Sequence, residues 1–195
     1  MSFRYALKPF ITDPKRHSKD VLFYDDKVVL IRDKFPKSAI HLLLLPRGDL
    51  TTVAPAKLTK EQIDPLNEYI NLAKEIASNE FYKIWKCKNN EKVKILALLH
   101  SAPSLNNLHI HIISDDFHSP SLKTKRHFNS FQSPFAIMID EIPLDEEDMR
   151  RGRNYSESLL KRNMQLHGDD YAGKIKVVKQ KLQSEFEAKW IRIIN

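Results

Sequence analysis

Cysteine is almost missing from this chain of 195 residues. Its one representative, Cys87, has no partner within the chain, which excludes an internal disulfide and any cysteine-rich zinc site and fits a reducing compartment. Apolar runs long enough to span a bilayer are absent, and Met1-Ser2-Phe3-Arg4 opens no secretory signal. Internal repeats and low-complexity tracts are absent too. These absences lead to the expectation of a soluble, intracellular protein. Positive charge, by contrast, is plentiful: the formal net charge is +7 and the isoelectric point about 9.4, which favours anionic partners without specifying one. A chain of this length can form one compact domain with an appendage and bury roughly two-thirds of its unfolded surface, so core size is not limiting.

Reactive side chains recur on one geometric face in a single stretch, Pro103-Ser104-Leu105-Asn106-Asn107-Leu108-His109-Ile110-His111-Ile112-Ile113-Ser114. Leu108, Ile110 and Ile112 alternate with Asn107, His109 and His111, and a period of two marks a β-strand with one apolar and one polar face. An edge strand with a wet face is the plain alternative. A metal site is another, since two imidazoles two residues apart can share an ion, but zinc takes three or four ligands and no third lies nearby in sequence.

Elsewhere the pattern alternates between helix and strand. Phe3, Ala6, Leu7 and Phe10 fall at helical spacing ahead of the Asp13-Pro14 break, which predicts a short amphipathic helix covering a sheet edge. Val21 to Tyr24 and Val28 to Ile31, joined by Asp25-Asp26, read as a hairpin, and the apolar run from His41 to Leu45 as a strand buried on both faces. Ile63, Leu66, Ile70, Ala73, Ala77, Phe81 and Ile84 step by three and four, which predicts a long helix within residues 59–86. Thr59 with Gln62 makes a capping box, and Asp64 with Pro65 is the competing start. Residues 93–99 read as a strand ending at His100, and residues 134–139 as a further strand. Residues 143–163 alternate in charge and read as a solvated helix joining two parts. The order predicts an α+β fold with a mostly antiparallel sheet and a long helix.

Beyond Ser114, Lys123, Lys125, Arg126 and His127 stand among Phe117, Phe128 and Phe131. Cations neutralise phosphates and aromatic rings stack on exposed bases, a combination suited to a nicked or single-stranded end. A solvated loop of ordinary charges is the alternative.

Asn107-Leu108-His109-Ile110-His111-Ile112-Ile113 resembles the signature of the histidine triad family of nucleotide hydrolases and transferases, with the first histidine replaced. The upstream block Asp33-Lys34-Phe35-Pro36-Lys37-Ser38-Ala39-Ile40-His41 resembles the family's other conserved segment. Within the family the closer resemblance is to the aprataxin branch, carried by Ile31 to Lys37, by His100-Ser101-Ala102-Pro103-Ser104, and by the run from Ile113 to Phe131. That resemblance implies removal of AMP from abortively adenylated 5′ ends of DNA. It implies His109 as nucleophile, His41 as its support, and His111 and Ser104 as donors to a non-bridging phosphate oxygen. Asp33 would hold the ribose, Lys37 shape its pocket and His100 stand near the leaving phosphate. Lys123, Lys125, Arg126 and His127 would contact DNA. Asn107 would take over the first histidine's task of fixing the nucleophile's tautomer, since an amide offers both donor and acceptor. His17, His118 and His167 have no matching role and are expected at the surface.

Aprataxins end in a zinc finger, and here the corresponding frame holds Gln165, Gly168, Lys181 and Glu185, with the packing positions Leu182, Phe186 and Trp190 retained. Structural zinc uses four ligands, so the expectation is a zinc-free remnant with no metal and no cofactor, AMP being a product. A catalytic domain is expected over residues 1–142, and a linker helix with a DNA-binding, finger-like region over 143–195. The expected partner is nicked or broken DNA bearing a 5′-adenylate, with no membrane, in a nuclear or also cytoplasmic monomer. No forkhead-associated module precedes the catalytic region, so recruitment through phosphorylated partners by that route is not expected. A general histidine triad hydrolase and a non-catalytic DNA-end binder are the alternatives.

Overall fold

A computed structural model describes residues 3–193. Its central sheet has six strands in the order β1-β2-β3-β6-β5-β7: Val21–Tyr24, Val28–Arg32, His41–Pro46, Ile110–Ser114, Ile95–His100 and Ala136–Met138. Every ladder in it is antiparallel. The first hairpin and the buried third strand form as the sequence pattern predicts. Six helices, α1 (Lys8–Thr12), α2 (Lys60–Ile63), α3 (Asn67–Tyr82), α4 (Lys125–Gln132), α5 (Arg153–Leu159) and α6 (Ile175–Lys189), surround the sheet among the described residues. None is long and apolar enough to cross a membrane.

Period-two alternation divides the sheet into two faces. Leu42, Leu44, Ala97, Leu99, Leu108, Ile110 and Ile112 point to one side, where Ile70, Ala73, Ala77 and Phe81 of α3 cover them. Burying a large aliphatic or aromatic side chain contributes about 1.5–3 kcal/mol, so this layer is the principal source of stability. The opposite face is covered in two pieces. Leu7 and Ile11 pack on Val29, Ile31, Leu43 and Leu45, while Phe128 and Phe131 of α4 join Leu98 and Ile113 with residues of the C-terminal region. A cleft opens between the two pieces.

The predicted long helix is interrupted. Its capping box forms, with Thr59 N–H donating to Gln62 Oε1 at 3.0 Å. Asp64–Leu66 then tightens into a 3₁₀ turn at Pro65, whose ring cannot continue the α-helical hydrogen bonds. The helix also stops at Tyr82, because Trp85–Cys87 (β4) pairs antiparallel with Trp190–Arg192 (β10) at the chain's end. Near the N-terminus, Leu7 and Ile11 are the buried residues and Phe3 is 67% exposed, so the stripe predicted there is rotated. Residues 143–163 are not one solvated helix. Only Arg153–Leu159 is α-helical, with Leu159 and Leu160 buried against Phe135. The charges before it close locally: Arg150 pairs with Asp148 and Glu141, and Arg151 donates to the carbonyls of Leu144 and Asp145.

The C-terminal region has a finger-like outline. Gln165–Leu166 (β8) and Asp169–Asp170 (β9) form a hairpin around His167-Gly168, both at positive φ as a tight two-residue turn requires. Val178 and Leu182 of α6 pack on Met164 and Leu166, while Phe186 and Trp190 reach Phe81 at ring distances of 6.3 and 4.8 Å. Trp190→Ala is expected to cost about 3 kcal/mol by opening that contact, and Ile191→Ala, on the exposed face of the same strand, no more than about 0.5 kcal/mol. Urea denaturation of the two variants checks the difference.

Candidate active site

The strip of sheet at the base of this cleft carries the histidines. Antiparallel register sets Leu43 of β3 and Leu98 of β5 on either side of His111, and alternation aims His109 and His111 away from α3. His41 begins β3 and His100 ends β5, so both reach the same place from neighbouring strands. Ring centroids lie 5.1 Å apart for His41 and His111, 4.2 Å for His100 and His111, and 4.9 Å for His109 and His111. Phe131 meets three of these imidazoles edge-on, at 5.5 Å from His41, 4.8 Å from His100 and 5.1 Å from His111. The four histidines line a cleft of about 880 Å³ together with Asp33, Lys37, Ser104, Lys123, Arg126 and His127.

Hydrogen bonds assign the protons. His109 Nδ1 lies 2.7 Å from the main-chain oxygen of Asn107. A carbonyl can only accept, so Nδ1 carries the hydrogen and Nε2 keeps its lone pair. Lys37 N–H donates to His41 Nδ1 at 3.2 Å, which leaves the proton of neutral His41 on Nε2, 2.9 Å from His111 Nδ1. His41 therefore donates to His111, and the proton of His111 sits on Nε2. That atom is buried without a partner, as is His100 Nε2. Buried polar atoms left unpaired mark places where ligand atoms complete the bonding.

Burial also sets the charges. Removal from water lowers the pKa of His109, of His41 to about 4, and of His100 and His111 well below the usual histidine value. All four rings are neutral at pH 7. Lys37, half-buried, is lowered by the same desolvation, which outweighs the neighbouring Asp33 carboxylate.

A family profile described as "Scavenger mRNA decapping enzyme C-term binding" matches residues 9–127. The aprataxin-like protein of Saccharomyces cerevisiae is 34% identical over 96% of this chain and 98% of its own length. The aprataxin-like protein of Schizosaccharomyces pombe is 34% identical over 89% of this chain and 84% of its own. The chain belongs to the aprataxin family of histidine triad proteins. Its fold matches a crystal structure of the aprataxin ortholog Hnt3 in complex with DNA with a TM-score of 0.79 at 32% identity, covering 96% of each chain. The structure of Hnt3 from Schizosaccharomyces pombe matches with a TM-score of 0.77 at 31% identity, over 96% of this chain and 94% of that one.

Three features of this aprataxin-family site differ from the sequence reading. The proton of His109 is held by the main chain of Asn107, while the amide Oδ1 is buried without a partner. His41 bonds to His111 and not to His109. Phe117, Phe128 and Phe131, read as stacking rings, are buried in the core. The rings that are exposed along the cleft are Phe35, 57% exposed, and Phe3. Phe35 stands two residues from Asp33, which accepts its N–H at 2.7 Å, and that proximity was the available signal. The basic segment is partly committed elsewhere: Lys125 Nζ donates to Lys161 O at 2.8 Å and Arg126 forks onto Glu157 at 3.0 and 3.3 Å. Lys123 and His127 face the cleft without ion-pair partners among the described residues. His118 is not simply a surface residue, because its ring stacks on Phe186 at 4.4 Å.

Asp33, His41 and His111 bring possible ligand atoms within 4.8 Å of one another. The nitrogens of His41 and His111 face each other at 2.9 Å, however, the spacing of a shared proton. Two nitrogens on one tetrahedral zinc lie roughly 3.3 Å apart. The finger frame also fails as a ligand set: Gly168 has no side chain, Lys181 donates to Tyr171 and Asp169 at 2.9 and 3.3 Å, and Glu185 pairs with His167 at 3.0 Å.

Because the folded histidines bind protons less readily than the unfolded ones, the unfolded state takes up protons first as pH falls below about 6.5, and stability drops until the folded pKa is reached. For His41, with a folded value of about 4, the loss over that interval is roughly 3 kcal/mol. Urea midpoints at pH 7 and pH 5 should therefore differ in the wild type and differ less in His41→Asn.

Proposed function

We propose that this protein hydrolyses the 5′-adenylate that abortive ligation leaves on DNA, through a covalent adenylyl-His109 intermediate. The observation that carries this reading is the lone pair on His109 Nε2, freed by the bond from Nδ1 to Asn107 O and placed in a cleft with a basic wall. Membership of the aprataxin family and the likeness to Hnt3 solved in complex with DNA support it.

In the proposed first step, His109 Nε2 attacks the α-phosphorus, a P–N bond forms, and the P–O bond to the DNA phosphate breaks. The ring becomes an imidazolium whose Nδ1–H remains bonded to the Asn107 carbonyl. His111 Nε2–H donates to the non-bridging oxygen on which charge accumulates, and Ser104 Oγ and His100 Nε2 stand along the same cleft for the phosphates. Asp33 accepts from the ribose, and Lys37 shapes that pocket. Water then attacks the phosphorus, the P–N bond breaks and returns the lone pair to Nε2, and AMP departs while one proton of the water passes to solvent, so that neutral His109 is restored and one difficult displacement becomes two easier ones. Lys123 and His127 contact the DNA phosphates, with Arg126 joining if it leaves Glu157. Lys125 is the weaker DNA contact, given its bond to Lys161 O.

Residues 1–142 supply the chemistry in this reading and residues 143–195 extend the basic surface. The finger region works without zinc, a reading supported by the glycine and lysine in its ligand frame. Action on broken DNA points to the nucleus as the place of work.

On a nicked duplex carrying 5′-AMP, His109→Ala is expected to slow AMP release by on the order of 10³-fold or more. Labelling of the wild type with radioactive AMP that is stable to alkali and lost in acid, as a P–N bond to histidine requires, checks the intermediate. Unchanged turnover in the variant would sink the mechanism, and turnover of diadenosine tetraphosphate alone would move the activity to free nucleotides. Lys123→Ala should weaken DNA binding and reduce the slope of log affinity against log salt by about 1, whereas Lys125→Ala should leave it nearly unchanged. Elemental analysis of purified protein is expected to show no stoichiometric zinc, and EDTA should leave activity intact.

A further inference from the structure

The ribbon formed by β4 and β10 has two dissimilar faces. Trp190 lies opposite Cys87 and packs with Trp85 against Phe81 and Phe186. The alternate residues point outward. Ile191 lies opposite Lys86, and Ile193 N–H donates to Ile84 O at 2.8 Å, which sets Ile193 opposite Ile84. Period two thus collects Ile84, Ile191 and Ile193 beside Lys86 on one face. They are 38%, 53% and 40% exposed. Isolated exposed aliphatic residues are ordinary, but three on one side of a short two-stranded ribbon form a patch.

The surroundings are cationic. Lys86 forms no ion pair among the described residues, and Lys88, on the same alternation as Lys86, donates its ammonium to the main-chain oxygen of Glu187 and not to a carboxylate. The nearby Glu80 carboxylate is shared between Arg32 and Lys83. The ribbon also lies in the α3 layer, across the sheet from the histidine cleft, so an occupant would not obstruct the cleft.

We propose that this face docks an acidic segment of a partner protein that carries aliphatic side chains. Branched aliphatics in the centre call for an apolar anchor, and Lys86 and Lys88, neither paired with a carboxylate among the described residues, call for carboxylates around it. Nucleic acid fits less well, because its bases stack on aromatic rings rather than on isoleucine. A second copy of the chain fits less well too, because a two-fold contact would set these cations against their own copies.

The test uses the full-length protein and a short fluorescein-labelled peptide alternating leucine with glutamate, followed by anisotropy. Matched peptides with lysine for glutamate, or serine for leucine, serve as controls. The acidic, aliphatic peptide should bind more tightly than either control, lose at least about tenfold in affinity with Ile191→Ser and with Lys86→Glu, and stay bound when nicked DNA is added. Amide resonances of residues 84–88 and 190–193 should shift on binding. Release of AMP from adenylated DNA by Ile191→Ser at the wild-type rate shows that the variant is folded. Equal binding of the control peptides, full binding by both variants, or displacement of the peptide by nicked DNA would overturn the proposal. So would concentration-dependent dimerisation in sedimentation that Ile191→Ser abolishes.

Discussion

The main-chain carbonyl of Asn107 decides which nitrogen of His109 carries hydrogen, and much of the structure serves to keep that carbonyl in place. At 2.7 Å, in a site where His109 is 6% exposed, no water competes for the bond. An unmade hydrogen bond there would leave a buried donor unsatisfied, at a cost of about 1–3 kcal/mol. The backbone around it is fixed in turn. Leu108 N–H donates to Thr51 O at 2.7 Å, and Ser38 Oγ donates to Ser114 O at 2.6 Å at the other end of the strand. Leu108, Ile110 and Ile112 anchor the same strand in the α3 layer. The apolar half of the motif thus holds the polar half in register.

This arrangement explains why the core of the fold was legible from sequence. Alternation at residues 107–113, the apolar run after His41 and the three-and-four spacing of Ile70, Ala73, Ala77 and Phe81 are local patterns, and local patterns set which face of an element is buried. The illegible parts depend on distant partners. Residues 85–87 continue an apolar stripe that reads as helix, and only pairing with residues 190–192, about a hundred positions away, turns them into strand. The rings of residues 117–131 occur among cations, and composition alone cannot tell a stacking platform from a core. Phe131 is buried because the histidine cluster needs an apolar support beneath it, a requirement that is visible only when three strands and α4 are in position. The side chains singled out in the sequence, among them His41, His100, His109 and His111, line one cleft, but the groups at Asn107 and Lys37 that place the imidazole protons are main-chain atoms, on which residue type leaves little mark.

The C-terminal region shows how a finger outline can be kept when its ligand frame offers no ligand set. A hairpin and helix of this size bury too little surface to be stable alone. Here Val178 and Leu182 complete a cluster that includes Leu98, Ile113 and Phe128, while Phe186 and Trp190 enter the core on the other side of the sheet. The helix spans both layers. His167 with Glu185, and Lys181 with Asp169 and Tyr171, join hairpin to helix with polar contacts that are largely exposed and so contribute only modestly. The ribbon of β4 and β10 adds main-chain hydrogen bonds. The contacts that hold this region are distributed over its interface with the rest of the chain.

Four clustered imidazoles, three of them packed on Phe131, would repel one another if they were charged, and burial prevents this by favouring their neutral forms. The same burial makes an imidazolium costly in the free protein. In the proposed mechanism, adenylylation of His109 would create such a cation, but beside the phosphate that provides its counter-charge. The Nδ1–H that it strengthens as a donor already points at a carbonyl. Positive charge is thus tolerated on His109 only when a phosphate is attached to it. Removal of that phosphate by water in the proposed second step would return the ring to the neutral form that its surroundings favour, so the desolvation that keeps His109 neutral before attack would also favour release.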